Sequence, residues 1–176
     1  MLNLNTYILE KFKISKDIKV HEYNYHPKNR KKLISLIDKL IKERGDEADL
    51  NDIDVSDITD MSELFLNFKF NGDISKWDVS NVINMCDMFA YSEFNGDISN
   101  WDVSKVKDMG HMFYNSEFNS DISNWDVSKV KDMHGMFGNS KFNGDISDWD
   151  ISHVENISFM FRKCPLEKNP PSWYHE

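Results

Sequence analysis

Phe94-Asn95-Gly96-Asp97-Ile98-Ser99-Asn100-Trp101-Asp102-Val103-Ser104 is one copy of a motif that the chain repeats along most of its length. Its Trp-Asp-Val-Ser core recurs at Trp77, Trp101, Trp125 and Trp149, always 24 residues apart, with Ile151 in place of Val in the last copy. A fixed period of about 20–30 residues is the signature of stacked repeats, each repeat forming one rung.

Aligning the chain on itself leaves columns that stay apolar. One holds Leu50, Ile74, Ile98, Ile122 and Ile146; the next holds Ile53 and the four Trp. Val55, Val79, Val103, Val127 and Ile151 form a third, and Ile58, Val82, Val106, Val130 and Val154 a fourth. A Met column (Met61, Met85, Met109, Met133) precedes Leu64-Phe65 and its equivalents, and a further Phe closes the repeat at Phe70, Phe94, Phe118 and Phe142.

Spacing changes within each repeat. Trp77 and Val79 alternate with period 2, which predicts a short strand around 76–80. Val82, Met85, Met88 and Phe89 lie at i, i+3, i+6 and i+7, which predicts an inward-facing helical or 3₁₀ segment. Phe-Asn-Gly-Asp then turns the chain, with Gly72, Gly96 and Gly144 available for positive φ, although Ser120 stands there in the third copy. One strand, one helical turn and a return give the expected fold class. It is an α/β repeat, a right-handed leucine-rich-repeat-type solenoid with 24-residue rungs and an N-terminal helical cap. The expected divisions are a cap over 1–49, the solenoid over 50–163 and a C-terminal cap over 164–176.

The pattern FNGDISxWDVSxVxxMxxMF resembles the BspA-like leucine-rich repeats, also called the DUF285 repeat, from Leu50 to about Tyr174. The segment Asn169-Pro170-Pro171-Ser172-Trp173-Tyr174 is similar to the family's usual close, with Trp173 one period after Trp149. The resemblance implies a repeat protein that binds other macromolecules, often as a bacterial surface adhesin. It carries over no catalytic residue.

Charge is unevenly spread. Residues 1–45 carry 11 Lys+Arg against 5 Asp+Glu, a net of +6; residues 46–176 carry 10 against 25, a net of −15. Such a split suits a partner with a basic surface, although excess acid also simply keeps a repeat protein soluble. No signal-peptide pattern, wall-anchor tail or run of about 18 apolar residues is present, so a cytoplasmic location is expected, or a surface one if the chain is trimmed. Cys86 and Cys164 read as free thiols.

The N-terminal 49 residues read as the cap. Thr6–Val20 alternates loosely, the pattern of one or two strands. Pro27 starts and Gly45 ends a helix over 28–44, whose apolar stripe includes Leu33, Ile37 and Leu40. Its other face carries Lys28, Arg30, Lys31, Lys32 and Lys39. That is either a nucleic-acid footprint or, as favoured without accompanying aromatics, a solvated helix face.

No phosphate loop, nucleophile elbow, Cys-x-x-Cys or metal-binding His motif occurs, so no enzyme, cofactor or metal site is expected. The Asp column between the inward Trp and Val is the candidate partner-binding face: Asp78, Asp102, Asp126 and Asp150, with Lys76, Asn100, Asn124 and Asp148 beside them on a concave sheet. Stacked carboxylates repel, so they need a basic partner, a cation or hydrogen bonds from the Ser two residues on. The Asp73, Asp97, Asp121, Asp145 column reads as turn-forming, and the Asn71, Asn95, Asn119, Asn143 column as a hydrogen-bonded ladder inside the stack. The Trp column reads as core rather than a stacking platform. The expected function is non-enzymatic protein binding. The favoured form is an intracellular inhibitor or adaptor docking on a basic, nucleic-acid-handling protein such as a defence or CRISPR effector. A BspA-like surface adhesin is the alternative, and nucleic-acid binding through the cap helix is weaker. No membrane or small-molecule partner is expected.

Overall fold

The computed structural model describes residues 22–175. Among them are one α-helix, α1 (Arg30–Arg44), a 3₁₀ turn at Pro165–Glu167 and no β-strand. Pairing between repeats is confined to isolated parallel bridges, chiefly the series Asp60, Asn84, Asp108, Asp132, Asn156. The leucine-rich-repeat-type α/β solenoid expected from the spacing is therefore not the fold. No sheet exists among the described residues, and no concave sheet face. The strands expected within Thr6–Val20 lie outside the described residues.

The missing strand has a local cause. Each Asp-x-Ser step closes on itself: the Asp78 Oδ1 accepts the Ser80 backbone N–H at 3.1 Å, and the Asp102, Asp126 and Asp150 carboxylates do the same for Ser104, Ser128 and Ser152. The Trp101 N–H bonds to the Ile98 carbonyl and the Val106 N–H to Val103. Asx turns and four-residue turns thus take the donors that a strand would present to its neighbour.

The missing inner helix has a different cause. Asp87, His111, Gly135 and Phe159 all have φ between 53° and 59°, and four residues on so do Tyr91, Asn115, Asn139 and Lys163, between 52° and 57°. A left-handed residue every fourth position breaks the helix into overlapping turns. It also rotates alternate N–H groups outward along the stack. Met85, Asp87, Phe89 and Tyr91 donate to the carbonyls of Asp108, Gly110, Met112 and Tyr114 in the next repeat, at 2.8–2.9 Å, and the pattern recurs from repeat to repeat. Apolar residues at near-helical spacing still face inward, because successive turns bring them to one side. Gly72, Gly96 and Gly144 are not among the residues with positive φ.

Stacking places like on like. Phe65, Phe89, Phe113, Phe137 and Phe161 form a column with ring centroids 5.4–6.0 Å apart and planes within 5°. Phe70, Phe94, Phe118 and Phe142 form a second at 6.2–6.3 Å. The Trp77, Trp101, Trp125 and Trp149 rings are buried, and each indole N–H donates to a carbonyl of the preceding repeat, Trp125 to Ile98 at 3.1 Å. Trp173 continues the series on Ile146. The Asn ladder is present, but at the surface rather than inside the stack: the Asn95, Asn119 and Asn143 N–H groups each bond to the side-chain oxygen of the previous Asn at 2.7–2.8 Å. Cys86 and Cys164 are free thiols. Burial, with Asp87 accepting from the Cys86 Sγ at 3.3 Å, pushes that thiol up to about 12.

α1 covers the first repeat. Asn29, not Pro27, caps it, accepting the Lys32 N–H at 3.0 Å, and the Gly45 N–H closes its end on Ile41 at 2.8 Å. Leu33, Ile37 and Leu40 join the core. The helix also meets the stack's hydrogen-bonding needs. In later repeats the carbonyls equivalent to Ser62 accept an N–H from the repeat before; at Ser62, where no repeat precedes, Arg30 Nε donates instead at 2.6 Å. Arg44 grips Asp52 with both guanidinium arms at 3.0 Å and lies 5.7 Å from the Tyr25 ring centre.

Candidate partner-binding face

Asp78, Asp102, Asp126 and Asp150 are exposed and in register, one per repeat, and Lys76, Asn100, Asn124 and Asp148 are exposed beside them. The carboxylates stand on Asx turns rather than on a strand. A fifth member, Asp54, heads the column one period before Asp78; its Oδ1 takes the Ser56 N–H and hydroxyl and its Oδ2 meets His26 Nδ1 at 3.0 Å. Asp54 lay one repeat before the first Trp, so the Trp-Asp-Val-Ser signal missed it, although the Asp-x-Ser spacing marks it.

The second column is as exposed as the first. Asp73, Asp97, Asp121 and Asp145 each accept the N–H of the Ser two residues on at 2.9–3.0 Å, and Ser99 and Ser147 add hydroxyl bonds at 2.7 Å. Asp49, one period earlier, does the same for Asn51. Each repeat thus carries two surface carboxylates held in fixed rotamers by their own backbone.

At several of these positions the hydrogen bonds favour the ionised carboxylate. Bonds from Ser104 and Ser128 hold Asp102 and Asp126 below the usual carboxylate range, and Ser99 does so for Asp97. Asp52 is held down by Arg44. Neighbouring carboxylates push the other way, as Asp73 and Asp121 do on Asp97. Lys105 and Lys129 offset that repulsion at Asp102. A folded-state value below the unfolded one adds stability that is complete above the unfolded pKa and is lost as pH falls through the folded value. Melting temperature should therefore hold from pH 7 to about 5 and fall steeply below about pH 4, near the unperturbed carboxylate value. A decline beginning near pH 6 would assign the acid lability to other groups.

The basic helix residues divide. Arg30 is spent on Ser62 and, at 3.4 Å, on Glu63; Lys28 pairs with Asp57 at 2.7 Å and Lys39 with Glu43 at 3.8 Å. Lys31 and Lys32 point to solvent. The helix cations therefore do not form one free patch. Among the described residues no group of three or more His, Cys, Asp or Glu could hold a metal ion, and no helix is long and apolar enough to cross a membrane.

Fold and face together define a protein of stacked 24-residue turn repeats with aligned carboxylates. Residues 35–139 and 114–174 match the family described as Mycoplasma protein of unknown function, DUF285, and the chain belongs to that family. No curated protein and no solved structure matches it.

Proposed function

We propose that this chain is a non-enzymatic binding protein whose two rows of Asp dock on a basic protein surface. The observation that carries the reading is the pinning of those carboxylates by Asx turns. Charges already fixed in rotamer and spacing lose little side-chain entropy on binding, and a regular negative row accelerates encounter with a positive partner. Basic surfaces are commonest on proteins that handle nucleic acid, so an intracellular inhibitor or adaptor of such a protein, a defence or CRISPR effector for example, is the favoured form. The two free thiols fit a reducing, cytoplasmic compartment.

Asn preserves the Asx-turn oxygen and removes only the charge. Changing Asp78, Asp102, Asp126 and Asp150 together to Asn should leave the melting temperature within a few degrees of the parent while association with the partner slows and loses much of its salt dependence. Unchanged affinity in a partner captured from the native host would remove this face from the interface. The motif's resemblance to BspA-like repeats favours a surface adhesin as the second reading. Fractionation of the native host separates the two: recovery in the cell-surface fraction supports the adhesin, recovery in the cytosol the adaptor.

A further inference from the structure

A cleft of about 400 Å³ opens on the face formed by the left-handed turns, away from the Asx-turn carboxylates. Its parts come from three successive repeats. His111 and Tyr114 form one wall, Phe159 and Arg162 the other, and Gly135 lies between them with His134 alongside. The floor is shaped for the walls. A Cβ on Gly135 would sit 2.6 Å from the His111 ring, and one on Gly138 2.9 Å from the Tyr114 ring. The equivalents of Gly135 are Glu63, Asp87, His111 and Phe159, so this repeat alone is cut back to backbone at the left-handed position, and two side chains of the repeat before lie over the gap.

The wall residues pack on one another, and Arg162 brings a positive charge to them. The His111 ring packs edge-on against Tyr114 at 5.2 Å and His134 at 4.8 Å, and His134 packs against Phe159 at 5.7 Å. The Arg162 guanidinium lies 5.4 Å from the Phe159 ring centre. Arg162 and Lys163 adjoin the opening, and neither takes part in an ion pair among the described residues. Arg162 and Lys163 bring two positive charges side by side to the cleft, in a stretch with a net charge of −15. Guanidinium, ammonium and imidazole N–H groups suit a phosphate, and aromatic walls suit a flat ring beside it. The volume lies at the small end of ligand pockets.

We propose that this cleft binds a nucleoside monophosphate, its base against Tyr114 and the imidazoles and its phosphate on Arg162 and Lys163. The motifs alone hold no hint of it, and it is independent of the acidic face. Titrating the full chain with AMP, adenosine and inorganic phosphate, by calorimetry and by NMR of the His and Tyr side chains, tests it. AMP should bind at least about tenfold more tightly than either fragment, with shifts at His111, His134 and Tyr114. Arg162→Gln and, separately, Lys163→Gln should each weaken AMP about fivefold or more without lowering the melting temperature. No AMP binding at millimolar concentration, either fragment binding as tightly as AMP, shifts confined elsewhere, or wild-type affinity in both variants would overturn it.

Discussion

Trp125→Ala should lower the unfolding free energy by about 4 kcal/mol. The ring is 4% exposed, lies in the middle of the stack, faces Phe113 at 6.4 Å and donates its N–H to Ile98 in a buried setting. Truncation therefore removes a large apolar contact, leaves a cavity bordered by two repeats, and strips a buried carbonyl of its donor. Collapse around the gap is hindered because the repeats on both sides are locked by backbone bonds at a fixed spacing. Trp125→Phe separates the contributions: it keeps most of the contact and loses the hydrogen bond, so it should cost about 1–2 kcal/mol. Urea denaturation of the three proteins measures both. Equal stability of Trp125→Ala and the parent would place the indole outside the core.

Leu40→Asp should be more damaging still, because it acts on the end of the stack. Leu40 is fully buried on the face of α1 that meets the first repeat. An unpaired carboxylate there either undocks the helix or stays protonated at a cost of several kcal/mol. Undocking uncovers Leu50, Ile53, Val55 and Ile58, withdraws Arg30 from the Ser62 carbonyl and frees Asp52 from Arg44. Size-exclusion chromatography should show aggregation, and circular dichroism loss of the helical signal. Removing residues 1–45 should give the same behaviour. A monomeric, cooperatively melting variant would show that the repeats close their own first face and that α1 is a separate arm.

Some of this architecture is legible in the residues and some is not, for identifiable reasons. The period, the burial of Trp, Met and Phe, and the helix with its Leu33, Ile37, Leu40 stripe follow from spacing, since burial depends mainly on which positions are apolar. The backbone path does not. Trp-x-Val has the period of a strand, but the Asp between them and the Ser after it close an Asx turn, and that local bond outcompetes a ladder. Asp-x-Ser recurs twice per repeat and makes the bond from the Ser foreseeable, but the period-2 spacing of Trp and Val points to a strand at the same residues. The left-handed positions are legible only in part: Asn67, Asn115 and Asn139 are of a type that tolerates that region, but Glu63, Asp87, His111 and Phe159 share neither size nor charge, and Phe is among the residues least suited to φ near 59°. Those positions are imposed by the ladder of N–H groups to the next repeat. The aligned carboxylates were visible as columns. The cleft was not, because its walls and floor are one repeat apart and only the stack brings His111 over Gly135.

Near-identity of the repeats poses a counting problem. A chain slipped by 24 residues would find almost every ladder bond and ring stack again, so the interior separates the correct alignment from its neighbour at few places, His111 over Gly135 among them. The ends carry the clearest marks: Arg30 on Ser62 and Arg44 on Asp52 at one, the Pro165–Glu167 turn and Tyr174 against Phe161 at the other. They serve as index marks for the molecule. A misaligned chain loops out a whole repeat yet stays compact, and it must unzip several repeats to recover, so refolding should show a slow phase that shortens when the two ends are joined correctly first.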